Sequence, residues 1–144
     1  MQATYIKFIL VVIFSFNFIF PQGSYNLSSD KSFGSIENNE NITIFKDNVI
    51  ATNQDAILYA NKAISYHESN KIILSGNVKM YNFSDTLLCD QLIIINNQDN
   101  KYQAEGNVTF IENNHTIGCK HIVYWPNTTN IRAVLTDEII MKSE

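Results

Sequence analysis

The sequence predicts an all-β chain whose sheet bends part-way along its strands and is assembled from two-strand repeats. Three observations predict it. Asn-Val follows a small or acidic residue three times, in "FKDNVIA", "LSGNVKM" and "AEGNVTF", so that Val49, Val78 and Val108 stand 29 and 30 residues apart. Between polar turn clusters, recurring about every fifteen residues, lie runs rich in Ile, Val and Tyr. Within every second run the apolar alternation changes phase at one place.

The elements follow in chain order. Residues 1–23 carry one Lys, Lys7, then an apolar run from Phe8 to Phe20 broken only by Ser15 and Asn17, then Pro21. That order is the order of a secretory signal peptide, and the run is shorter than the roughly 20 apolar residues of a membrane-spanning helix. A clean pair of small residues at a cleavage point is missing, so an uncleaved amino-terminal anchor is the competing reading. Both readings export the remainder. Residues 24–41, containing "NLSSDKSFGSIENNEN", are polar and turn-rich and read as an irregular lead-in. Residues 42–144 suffice for one small domain with one modest core. The net charge is -4 and no dense basic patch occurs, which argues against nucleic acid as a partner.

Seven strands are expected, at 42–52, 56–66, 71–81, 86–95, 101–111, 116–125 and 131–140, two per repeat. Aligning the Val column brings further columns into place. Ala60, Cys89 and Cys119 fall eleven residues after it; Leu58, Leu87 and Ile117 lie two before those small residues, and Ala63, Leu92 and Ile122 three after. An interval of three puts Ala60 and Ala63, or Cys89 and Leu92, on opposite faces of a regular strand. Both can face one core only if the strand bends or carries an extra residue. A bulge is therefore expected near Lys62, Gln91 and His121, curving the sheet into an apolar trough or folding it into a sandwich. The small column then suits the place where the walls converge. Free edges are expected at 42–52 and 131–140.

Chemistry is sparse. Two Cys in an exported chain can pair, but only if successive repeats lie one strand spacing apart; the match of both to Ala60 favours packing. No Cys-x-x-Cys, His-Glu-x-x-His or Gly-x-Ser-x-Gly spacing occurs, so no metal, cofactor or catalytic residue is assigned. The twelve residues of the Val, Leu/Ile, small and Ala/Leu/Ile columns are the candidate lining of a lipid-binding trough and, equally, the candidate core of a closed sandwich.

"GNVKMYNFSDTLLCDQLIII" and "AEGNVTFIENNHTIGCKHIVY" resemble the repeated pattern of the LptA, or organic-solvent-tolerance A-like, family of periplasmic lipopolysaccharide-transport proteins. There Gly-Asn-Val is followed by a Leu-x-Ala-Asp stretch and an aromatic; the matching residues are Gly76-Asn77-Val78 with Leu87, Cys89 and Asp90, and Gly106-Asn107-Val108 with Ile117, Cys119 and Tyr124. The first copy has Asp47-Asn48-Val49 with Leu58, Ala60 and Asn61, and Cys replaces the usual Ala twice. The resemblance implies a bent antiparallel β-jellyroll in the periplasm that shields the acyl chains of lipopolysaccharide. It also implies an LptC-like inner-membrane partner, an LptD-like outer-membrane partner and head-to-tail association of copies. The membrane-anchored LptC-like component itself, and a β module that binds only protein, are the alternative readings.

Overall fold

The computed structural model describes residues 25–54, 56–82, 85–96, 101–112 and 114–123 with their side chains, and the backbone of 3–7, 10–14, 124, 131–135 and 138–143. The described residues form twelve strands and no helix: β1 (Ala3–Lys7), β2 (Leu10–Phe14), β3 (Asn26–Ser28), β4 (Lys31–Glu37), β5 (Glu40–Thr52), β6 (Ile57–Tyr66), β7 (Lys71–Asn82), β8 (Asp85–Ile95), β9 (Lys101–Glu112), β10 (His115–Tyr124), β11 (Ile131–Leu135) and β12 (Glu138–Ser143). The antiparallel sheet runs β1-β12-β10-β9-β8-β7-β6-β5-β3, with β4 also on β5, and β11 pairs separately with β2.

Six of the seven expected strands are β5 to β10. Short connections join them for local reasons: Asn38 and Asn39 both adopt positive φ, 50° and 62°, in the tight hairpin between β4 and β5. Asn53 Oδ1 accepts the Ala56 amide at 2.9 Å across the β5–β6 turn. The seventh run does not form one strand. It divides into β11, which leaves the main sheet, and β12, which borders β10.

The bulge falls at the level of Lys62, Gln91 and His121, as expected, but the extra residue is on the partner strands. Opposite each three-residue step of an even-numbered strand, the odd-numbered strand takes four: Leu74 to Val78 faces Leu92 to Cys89. The same mismatch occurs between Lys46/Val49 and Lys62/Ala60, and between Glu105/Val108 and His121/Cys119. At each bulge two residues face one, Asp47-Asn48, Gly76-Asn77 or Gly106-Asn107, and all six have positive φ. Gly and Asn tolerate that region better than other residues. The recurring dipeptide is thus the bend itself, and Lys62, Gln91 and His121 mark where pairing resumes.

Within 24–41, expected to be irregular, Asn26–Ser28 and Lys31–Glu37 form strands. β3 pairs with the end of β5 and β4 with its beginning, so together they make one more bent strand covering the edge expected to be free at 42–52. Leu27 lies beside Ala51, as Leu58 does on the other side, and Lys31 beside Lys46, as Lys62 does. Read against the repeat, Leu27, Ser29 and Asp30 occupy the places of Leu87, Cys89 and Asp90. Asp30 Oδ2 accepts from Asn48 Nδ2 at 2.7 Å, as Asp90 Oδ2 does from Asn107 at 3.0 Å.

The bend divides the sheet into two leaves, the first holding residues 26–28, 49–52, 57–60 and their pairs, the second 31–37, 42–46, 62–66 and theirs. That the leaves close on each other follows from one contact. In strand order β3 and β9 are five places apart, about 24 Å in a flat sheet. Yet Tyr25 Oη, just before β3, lies 2.8 Å from Tyr102 Oη on the second-leaf part of β9. Only folding along the bulge line brings them together.

Candidate functional site

The inner faces of the two leaves form one continuous apolar surface. Val49, Val78 and Val108 face inward because the two bulge residues before each preserve parity with Phe45, Leu74 and Ala104 on the second leaf. Leu58, Leu87 and Ile117 come from the first leaf, and Ala63, Leu92 and Ile122 from the second. Ala60, Cys89 and Cys119 sit at the crease between them, where a large side chain would collide with the opposing wall. All twelve residues are buried in a single cluster, from fully covered Leu58 and Leu87 to Cys119 at 9 % exposure. Every column residue therefore lies on the inner face.

The pattern missed other inward residues. Met80, Ile94, Tyr102 and Phe110 belong to the same cluster, and Tyr25, Leu27, Phe45 and Ile72 pack against it. Period-two counting from the column residues reaches Met80, Ile94, Tyr102 and Phe110. Tyr25 and Leu27 lie outside the copies that were aligned, and the signal for Leu27 was its place two residues before Ser29.

Electrostatics make this interior chemically quiet. Cys89 and Cys119 are free thiols on strands separated by β9. Burial pushes the Cys89 thiol up to about 12, helped by the neighbouring Asp90 charge, and burial alone pushes Cys119 up to about 12. A thiol nucleophile or metal ligand works as the thiolate, so neither is primed for such chemistry. Among the described residues no group of three His, Cys, Asp or Glu is placed to hold a metal ion. At pH 8 a thiol at about 12 is ionised roughly a thousandfold less than one at the ordinary value of 9. Both cysteines are therefore expected to resist a chromogenic aromatic disulfide in the folded chain and to react within minutes in denaturant. Fast reaction of either thiol in native buffer would contradict its placement in the crease.

No family model matches the chain, and no curated protein matches it in sequence. Among solved structures the fold is similar to that of LptH, described as the LptA homologous periplasmic component of the conserved lipopolysaccharide transport device from Pseudomonas aeruginosa. The TM-score is 0.60 at 12 % identity, over 73 % of this chain and 77 % of that one. At that identity the likeness is one of fold.

Proposed function

We propose that this chain is an exported lipid carrier of lipopolysaccharide transport, holding acyl chains between its two leaves on the way from inner to outer membrane. The observation that carries the reading is the unbroken apolar inner face, from the Val column through the crease to Ala63, Leu92 and Ile122, in a fold shared with LptH. Each acyl methylene sheltered there is worth about 0.8 kcal/mol. A chain of a dozen methylenes gains enough to displace side chains packed only against one another. The lining is largely aliphatic and offers few fixed polar partners, so a lipid can slide along it.

In this reading residues 1–23 are a signal peptide and the mature protein works in the periplasm, as a carrier rather than an enzyme. Removing them takes away β1, which pairs with β12. The β12 edge then lies open at one end of the sheet and the β3–β4 strand at the other. A neighbour's strand can be added to such an edge by backbone hydrogen bonds. Unlike edges meeting head to tail would extend the trough through successive copies, or onto an LptC-like partner on the inner membrane and an LptD-like one on the outer.

The test is photo-crosslinking to radiolabelled lipopolysaccharide from a benzophenone amino acid at Leu87, on the inner face, and at its neighbour Leu88, which faces outward. Adducts from position 87 and none from position 88 are expected. A folded protein giving no adduct from either would favour the protein-binding module, for which the close packing of the interior is the specific support.

A further inference from the structure

The outer face of the second leaf has a composition that the interior does not explain. In the row next to the crease, Lys31, Lys46 and Lys62 stand directly opposite one another across β4, β5 and β6. Like charges in direct register on one face of a sheet repel and are ordinarily avoided. The following row is apolar over five strands, with Phe33, Ile44, Ile64, Ile73 and Ile93 in register. It spans about 19 Å at the usual strand spacing. Phe33 is 47 % exposed, and the isoleucines are half-buried. The third row adds Tyr66, Lys71, Ile95 and Lys101.

Five of the ten Lys and Arg residues of a chain with net charge -4 thus border one apolar strip. The acidic groups near it are engaged: Asp47 Oδ2 lies 3.5 Å from Lys31 Nζ, Glu105 Oε1 accepts from Gln103 at 2.7 Å and lies 3.5 Å from His121, Glu37 accepts from Tyr66 at 3.2 Å, and Glu40, on the Lys71 side, accepts from the Ser69 amide and hydroxyl, each at 2.6 Å. Two of the lysines already lie over aromatic rings, Lys46 at 5.4 Å from the Phe33 centroid and Lys71 at 4.4 Å from that of Tyr66. Their ammonium groups therefore sit at the boundary of the apolar strip, where a long stem can follow an apolar surface while its head stays in a polar layer.

We propose that the outer face of the second leaf is a docking surface for an anionic lipid bilayer. The apolar strip enters the headgroup boundary, and the lysines on both sides of it meet lipid phosphates. Charge complementarity selects the occupant. A nucleic acid would leave the isoleucine row without a partner, whereas a bilayer uses both components at the same depth. This surface lies on the opposite side of the sheet from the acyl-binding face and does not depend on what the interior carries.

The experiment uses the full chain with an environment-sensitive fluorophore attached at Phe33→Cys, and separately at Tyr81→Cys on the outer face of the first leaf. Vesicles of phosphatidylcholine alone are compared with vesicles containing about a third phosphatidylglycerol. The expected result is a blue shift at position 33 with the anionic vesicles, reversed by salt, and no shift at position 81. Because the comparison is by position and by lipid charge, insertion of the apolar leader does not imitate it. In the background Lys31→Gln, Lys46→Gln, Lys62→Gln, which removes repulsion and leaves the core intact, partitioning is expected to weaken about a hundredfold. Equal shifts at both positions, equal response to neutral and anionic vesicles, or unchanged binding of the triple variant would overturn the proposal.

Discussion

Gly106→Ala is expected to destabilise the protein by about 2–4 kcal/mol, a large effect for one methyl group. Two causes act together. Gly106 has φ +78°, where an L-residue with a Cβ is strained, and the added Cβ would lie 2.9 Å from the Cβ of Asp90. Because that contact is to an atom next to the β8 backbone, a rotamer change cannot relieve it. Gly76 is held in the same way, with φ +81° and a Cβ site 2.8 Å from that of Asn61. Asp47 occupies the equivalent place on β5 at φ 66°, with its side chain 59 % exposed and turned to Lys31. The control is Gly34→Ala, where the nearest atom would be the Ile42 carbonyl oxygen at 3.9 Å. Urea titration of the two variants should show a large fall in midpoint for the first and little change for the second. Equal responses would mean that the bulge does not need the glycine.

Leu87→Ala is expected to cost about 2–5 kcal/mol, and Leu88→Ala less than about 1 kcal/mol. The two residues are adjacent and chemically identical. They differ in that Leu87 is fully buried between the leaves while Leu88 faces outward. The same measurement bears on the carrier reading, because a cavity opened at position 87 lies on the inner face. Lipopolysaccharide added to the Leu87→Ala variant should recover part of the lost midpoint, as a ligand that binds only the folded state must. Indifference to lipid in both the variant and the parent would count against carriage, whatever the stability change.

The inner face was legible because four columns of side chains report it at once. The three-residue step from Cys89 to Leu92 announced a bend, but strand periodicity describes one strand at a time. It is silent on which partner holds the extra residue. The dipeptides Gly76-Asn77 and Gly106-Asn107 carried that information in their tolerance of positive φ. The strand formed by β3 and β4 was illegible for a different reason. Its inward and crease positions include Ser29 and Ser32, so hydropathy vanishes where the pattern persists, and only Leu27 and Asp30 keep the motif. The division of the last run into β11 and β12 does have a signal, the polar Thr136-Asp137-Glu138 between two apolar pieces, which the reading of 131–140 as one strand passed over.

The bulges at Asp47-Asn48, Gly76-Asn77 and Gly106-Asn107 stand in line across the sheet, which quantises how this architecture can change in length. One repeat enters and leaves at the same edge direction, so a duplication or loss of a whole repeat lengthens or shortens the gutter at constant bore. A half repeat reverses the direction of every strand that follows, and a gain of one or two residues between bulges moves the next crease out of line with the last. Descendants of such a chain should therefore differ in size by steps of one hairpin, with intermediate lengths confined to the turns.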